Sequence, residues 1–223
     1  MIERVHVIGS GRVGSAVTAR LRERGVAVGS DARGGDDPDV VLLCVPDTAI
    51  SDVSRCLAPG RAWVGHVSGA TPLAALDPHE RRFSLHPLQT FNGSGDPSQF
   101  DGAWAAISGE TDEALAVARE LAELLGLHPF ELADGDRTLY HAGAVFASNY
   151  LVTLQRAAVR LGVPAEGLAP LMTRTIENGF QLTGPIARGD WATVEAHKQA
   201  IREAQPELEH LYETLAGATV MLT

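Results

Sequence analysis

The stretch that most restricts what this chain can become is VHVIGSGRVGSAVTARLRERG, residues 5–25. It is a short β-branched apolar run, then three glycines in the frame G-x-G-x-x-G, then a segment whose Val13, Ala16, Val17 and Leu21 recur at helical spacing before Gly25. A strand, a tight turn and a helix in that order are the context in which this frame cradles a dinucleotide. Gly9 makes the turn, Gly11 lets a pyrophosphate approach the backbone, and Gly14 lets the helix pack on the strand. Cofactor contacts are therefore expected from Gly9, Ser10, Gly11, Arg12, Val13 and Gly14.

The second strand, VAVG, runs into Asp31. A carboxylate there takes a ribose hydroxyl and repels a 2′-phosphate, which favours NAD, whereas Arg33 would accept that phosphate and favour NADP. Both cofactors stay open, and GSDARGGDDPD also reads as a solvated turn. Only nine residues, Asp31 to Asp39, separate this strand from the next apolar run, VVLLCVPD. A helix and a further strand do not fit in that length. The sheet is expected to be trimmed after its second strand.

Further along, DTAISDVSRCLA reads as a helix, AWVGHVSG, FSLHPLQTF and GAWAAISG as strands, and PLAALD as a short helix. ETDEALAVARELAELLG is an amphipathic helix with acidic residues at its start and Gly126 behind it. Strands alternating with helices mean an α/β, mostly parallel, doubly wound sheet, assigned here to residues 1–130. From about residue 133 strand signals stop. RTLYHAGAVFASNYLVTLQRAAVRLG, PAEGLAPLMTRTIENGFQL and WATVEAHKQAIREAQPELEHLYETLAGATVML read as long helices, separated first by Pro164 and Gly167 and then by TGPIARGD, with Asp190 as an N-cap. Residues 131–223 are therefore expected to form an all-helical domain.

A net charge of −10, with no local cluster of basic residues, argues against nucleic acid as a partner. No apolar run approaches the roughly 20 residues of a membrane helix, and the N-terminus lacks the order of a signal peptide, so a cytoplasmic location without membrane attachment is expected. Lys198 is the only lysine among 18 basic residues, which leaves little scope for amine chemistry. Cys44 and Cys56 read as buried small hydrophobes rather than a disulfide pair.

Taken together, GSGRVG, CVPDTAI, HVSG, SLHPLQTF, YHAGAVFASNYLV and LTGPIARGD, in that order, make the chain resemble the Rossmann-like family carrying domain of unknown function 2520, over nearly its full length. The layout is more distantly similar to pyrroline-5-carboxylate reductase, ketopantoate reductase and 6-phosphogluconate dehydrogenase. The resemblance implies an oxidoreductase reacting in a cleft between a nucleotide domain and a helical domain, with ketopantoate reduction linked to some members. The chain departs from the distant dehydrogenases at Val145, where they place a lysine four residues before a helical asparagine, here Asn149.

Reduction of a carbonyl needs a bound nicotinamide, a donor for the developing alkoxide and an anchor for orientation. His141 and His86 can give a proton near neutral pH, Asn149 and Ser148 can polarise a carbonyl, and Arg188 can hold a carboxylate. His141, Ser148 and Asn149 share one face of the expected helix. Val45, Pro46 and Ser68 complete the expected cofactor contacts. His66, His86 and His141 could also make an open zinc site, but no close ligand spacing such as H-E-x-x-H occurs and no metal is expected. The expected function is an NAD(P)-dependent oxidoreductase of a small carbonyl or imine acid, with a non-catalytic nucleotide-binding or sensing protein as the alternative. Apolar stretches such as LYETLAGATVMLT point to a homodimer through the helical domain.

Overall fold

A computed structural model of the chain describes residues 1–29 and 37–222. Asp31 and Arg33 lie outside the described residues. The chain divides into two compact units, Met1–Val145 and Phe146–Thr223.

The first unit is built on one seven-stranded sheet, made of β1 (Arg4–Ile8), β2 (Ala27–Gly29), β3 (Val40–Leu43), β4 (Trp63–His66), β5 (Arg82–Leu88), β6 (Trp104–Gly109) and β7 (His128–Glu131). The spatial order is β2-β1-β3-β4-β5-β6-β7. The first five strands run parallel, β6 is antiparallel to β5, and β7 is parallel to β6. Because β3 pairs directly with β1, the sheet switches direction there, and among the described residues no helix or strand lies between β2 and β3. The trimmed sheet expected from the spacing is what forms.

On one face, α1 (Arg12–Glu23) and α3 (Asp112–Leu125) cover Val5, Val7, Val40, Leu42, Phe83, Leu85, Ala105 and Ile107, all buried and apolar. Gly65 is in register with Phe83, and a Cβ there would meet the Phe83 ring at 2.5 Å, so the glycine makes room for that ring. The α3 helix begins where the Thr111 hydroxyl accepts the Ala114 N–H at 3.1 Å, and ends at Gly126 with φ +86°. On the other face, α2 (Ile50–Cys56) and a 3-10 turn at Leu73–Leu76 cover Val41, Leu43 and Val64. The same face also buries polar residues: His6 beside Val41, and then His66, Ser84 and Ser108. The α4 helix (Arg137–Ala147) supplies the buried Arg137.

The second unit is helical throughout its described residues: α5 (Asn149–Arg160), α6 (Ala165–Glu177), α7 (Trp191–Ala204) and α8 (Glu209–Leu222). Asp190 caps α7 as expected, its carboxylate accepting the Thr193 N–H at 3.2 Å and the Thr193 hydroxyl at 2.7 Å.

Several local expectations are corrected. The single helix read over residues 137–162 is two, broken at Ser148 (φ −117°, ψ −67°), so His141 and the pair Ser148 and Asn149 are not on one continuous helix. Gly167 lies inside α6 rather than before it. The last long helix breaks at Pro206, which lacks the N–H needed to continue α7. Cys56 is exposed, whereas Cys44 is buried. The strand β7 carries no clear apolar alternation because HPFE is a half-exposed edge strand held by β6 alone. Among the described residues, no helix is long and apolar enough to cross a membrane.

Candidate active site

Ile8, Leu43, His66, Ser84 and Ser108 stand in one register row across β1, β3, β4, β5 and β6. In the four parallel strands, the segments that follow this row are the glycine loop, VPD, HVSG and HPL. The sheet therefore delivers all four sequence motifs to one edge, at the carboxyl ends of its parallel strands and beside its switch in direction, where open α/β sheets bind their ligands.

The glycine loop has the expected form. Gly9 has φ +112°, and a Cβ there would lie 2.3 Å from the Cys44 carbonyl oxygen, so the loop after β1 rests directly on the one after β3 that carries Val45 and Pro46. A Cβ at Gly14 would lie 1.9 Å from the Gly9 carbonyl oxygen, so only glycine lets α1 start this close to the turn. Nothing lies within 4 Å of a Cβ built at Gly11, and the first turn of α1, with Arg12 and Val13, has neither a side-chain cap nor an acidic residue. Its first N–H groups lack a side-chain cap. That arrangement fits the pyrophosphate of a dinucleotide. A cavity of about 520 Å³ adjoins the loop, lined by Gly9, Ser10, Ser15, Thr18 and Arg22 among others.

Ser68 is placed differently. It is buried, and its hydroxyl lies 2.8 Å from both the Asp47 carboxylate and the Thr71 hydroxyl while accepting the Thr71 N–H at 3.0 Å. Its side chain is engaged in tying the HVSG loop to the VPD turn.

Around His86 the unit assembles a group of rings. His86, Ala106 and Phe130 are cross-strand neighbours on β5, β6 and β7. The small Ala106 leaves a niche, and Tyr140 of α4 places its ring 5.6 Å from that of His86 and 5.9 Å from that of Phe130. The Tyr140 hydroxyl lies 2.8 Å from His86 Nδ1. His141 follows on the same helix, its ring 6.0 Å from His86. Gly69 abuts both imidazoles: a Cβ there would meet His86 Nε2, His86 Cε1 and His141 Cδ2 at 2.9 Å each. Among the described residues His86 Nε2 has no protein hydrogen-bond partner.

This arrangement hangs on Arg137. Its guanidinium bonds the Asp134 carboxylate at 2.8 Å, the Ser68 carbonyl at 3.0 Å and the Ser108 hydroxyl at 3.2 Å, and Asp134 also accepts the Leu73 N–H at 3.0 Å. The start of α4 is thereby pinned to the loop after β4 and to β6. Burial, with lesser electrostatic contributions from His141 and Arg137, lowers the His86 pKa to about 4. Burial, with Arg137, lowers that of His66 to about 3, and burial raises Tyr140 to about 12. At neutral pH all three are uncharged. His66 uses Nδ1 to accept the Ser68 N–H at 3.2 Å, and among the described residues the buried Ser84 hydroxyl has no hydrogen-bond partner.

The remaining candidates belong to the helical unit. Asn149 is exposed and its side-chain oxygen accepts the Ser148 hydroxyl at 2.9 Å. Arg188 is exposed at the end of a 3-10 turn, Ile186–Arg188, with no ion pair among the described residues. No group of three or more His, Cys, Asp or Glu side chains is disposed to hold a metal among the described residues. Tyr140, Arg137, Asp134 and Gly69 were not among the residues singled out from sequence. Tyr140 and Gly69 each adjoin a flagged residue, but nothing in the spacing links them to His86.

Comparison with solved structures finds likeness over almost the whole chain. A Bacteroides fragilis protein provisionally named an NADP oxidoreductase superimposes with a TM-score of 0.79 at 19% identity, covering 97% of each chain. A Thermotoga maritima protein gives 0.73 at 22% identity, covering 96% of this chain and 99% of that one. The 1-pyrroline-5-carboxylate reductase of Streptococcus pyogenes gives 0.60 at 16% identity, covering 96% and 97%. At these identities the likeness is one of fold. No curated protein sequence matches the chain at a significant level. The family of domain of unknown function 2520 matches residues 103–219, more than half of the chain, and the protein belongs to that family.

Proposed function

We propose that the protein is an NAD(P)-dependent oxidoreductase acting on a small carbonyl or imine acid, with a ketopantoate-like 2-oxo acid among the candidates. The observation that carries this reading is the convergence on one sheet edge of a glycine loop without a side-chain cap and a neutral, half-buried imidazole whose Nε2 has no protein partner among the described residues. The fold shared with an NADP oxidoreductase and a pyrroline-5-carboxylate reductase supports it. The glycine loop would hold the pyrophosphate of NAD or NADP, which supplies hydride. His86 would face the reacting oxygen through Nε2, with His141 beside it, and Gly69 avoids the clash that a Cβ would make with both rings. The helical unit has candidates of its own, Ser148 and Asn149 to polarise a carbonyl and Arg188 to hold a carboxylate. The only lysine, Lys198, is tied to Glu213 at 2.7 Å and Glu195 at 3.2 Å on the surface, so this reading uses no lysine.

Titration with NADH and NADPH, followed by calorimetry, tests the cofactor site, and no saturable binding at millimolar cofactor overturns the reading. Oxidation of cofactor on mixing with a panel of 2-oxo acids tests the chemistry. Binding without turnover across that panel is the outcome expected of a nucleotide-sensing protein derived from a dehydrogenase, which the valine at position 145 favours.

The same proposal includes assembly. The helical unit exposes Phe146, Leu171, Phe180, Met221 and Leu222, more large apolar surface than a soluble unit of this size leaves uncovered. A homodimer through this unit would bury it, and a monomer mass by light scattering at micromolar concentration overturns that part alone.

A further inference from the structure

We infer that Tyr140 is a positioning residue that holds His86 in its Nε2–H tautomer and passes it a proton through Nδ1 during reduction. This rests on the reading of His86 as the group that meets the reacting oxygen.

The geometry assigns the hydrogen. The Tyr140 hydroxyl is half-buried and, among the described residues, has one hydrogen-bond partner, His86 Nδ1 at 2.8 Å. With its ring packed against Phe130 and His86 and Nδ1 its one protein partner among the described residues, the phenol, the stronger donor of the pair, is assigned as giving its hydrogen to Nδ1. A neutral imidazole that accepts at Nδ1 carries its own hydrogen on Nε2, the edge beside which only a glycine, Gly69, fits. The Tyr140 ring is held over Ala106 between two cross-strand neighbours, and α4 is pinned through Arg137, so the tautomer is built into the framework rather than chosen by the substrate.

This matters for the chemistry because a neutral imidazole is a weak acid when acting alone. Burial foremost, with the electrostatic influence of neighbouring His141 and Arg137, holds His86 neutral at pH 7, so an imidazolium is not on hand to give its proton. A relay removes the difficulty. As hydride reaches the substrate carbon, the new O–H bond on the substrate takes the Nε2 hydrogen, the Nε2–H bond breaks, an Nδ1–H bond forms, and the Tyr140 O–H bond breaks. His86 ends neutral in the other tautomer, and the negative charge rests on the Tyr140 oxygen until solvent returns a proton. Arg137 favours that charge, its field lowering the pKa that burial raises.

Nitrogen-15 NMR of the histidine rings in the full-length protein at pH 7 tests the tautomer without cofactor or substrate. His86 is expected with Nε2 protonated and Nδ1 accepting, and to become a tautomer mixture in Tyr140→Phe, which keeps the ring packing and removes only the hydroxyl. A protonated Nδ1 in the wild type, or an unchanged spectrum in the variant, overturns the inference. Turnover tests the relay: Tyr140→Phe should lower kcat 10- to 100-fold with KM for the cofactor unchanged, and the wild-type rate should depend on the deuterium fraction of the solvent with the curvature of two moving protons. A wild type that turns over with linear dependence, or a variant with unchanged kcat, overturns the relay alone. A wild type that turns over none of the panel overturns the proposed function and the relay with it.

Discussion

The two faces of the sheet are both largely buried, and they differ in chemistry where the strands near their carboxyl ends. Under α1 and α3, β1 to β6 present Val5, Val7, Val40, Leu42, Phe83, Leu85, Ala105 and Ile107, and nothing polar is called for. One residue away along the same strands, the other face holds His66, Ser84 and Ser108, together with Arg137, at 2% exposure or less. Removing such groups from water costs stability unless each is satisfied, and among the described residues the Ser84 hydroxyl has no partner. The first face is what a sheet needs in order to fold. The second carries polarity that folding does not ask for, and it is the one that leads into the ring cluster at His86.

That contrast can be broken from either side. The largest effect is expected on the apolar face: Phe83→Ala empties the space beside Gly65 and should cost about 3–5 kcal/mol in urea unfolding. A loss under about 1 kcal/mol would mean that this face is not the core. On the polar face, His86→Ala should lower turnover roughly 10²- to 10⁴-fold while the urea midpoint stays close to that of the wild type. A variant that unfolds readily yet keeps its turnover per folded molecule would reverse the comparison.

Acid should act on the polar face as well. His86 and His66 take up protons in the unfolded chain near pH 6.5, but in the folded protein only near pH 4 and pH 3. The unfolded state therefore binds more protons in between, and stability falls as pH drops from about 6.5 towards 4, by up to about 1.4 kcal/mol per pH unit for each histidine. Urea unfolding at pH 7.5 and pH 5 measures this, and His86→Gln should flatten the slope. Equal slopes in variant and wild type would show that His86 titrates as it does in water.

The smallest effect sharpens the point. Ser84→Ala removes a buried hydroxyl that lacks a partner, so stability should hold or rise by up to about 1 kcal/mol. A loss of more than about 1 kcal/mol would mean that this oxygen is satisfied after all.

The legible parts were those with local causes. The glycine frame, the cap at Asp190 and the switch from alternating strands to helices each rest on residues close in sequence. The missing helix and strand after β2 followed from chain length alone. The break at Ser148 was not legible, because YHAGAVFASNYLV keeps a helical apolar pattern straight through it. The strand β7 was missed because its pairing with β6, and not its composition, makes HPFE a strand.

The candidate site divides along the same line. Sequence alone determined which motifs exist and that the glycine loop must follow β1, since backbone sterics at Gly9 and Gly14 act within a few residues. His86 and His141 could be named from their motifs, but not their meeting. Tertiary structure alone decided that one register row of the sheet lines up Ile8, Leu43, His66 and Ser84, that Ala106 leaves a niche for Tyr140, and that Arg137 ties α4 to Ser68 and Ser108. Those contacts span from 29 to 69 positions where Arg137 makes them. No periodicity carries information over such a distance, because side chains so far apart in the chain are brought together only when the sheet has chosen its strand order.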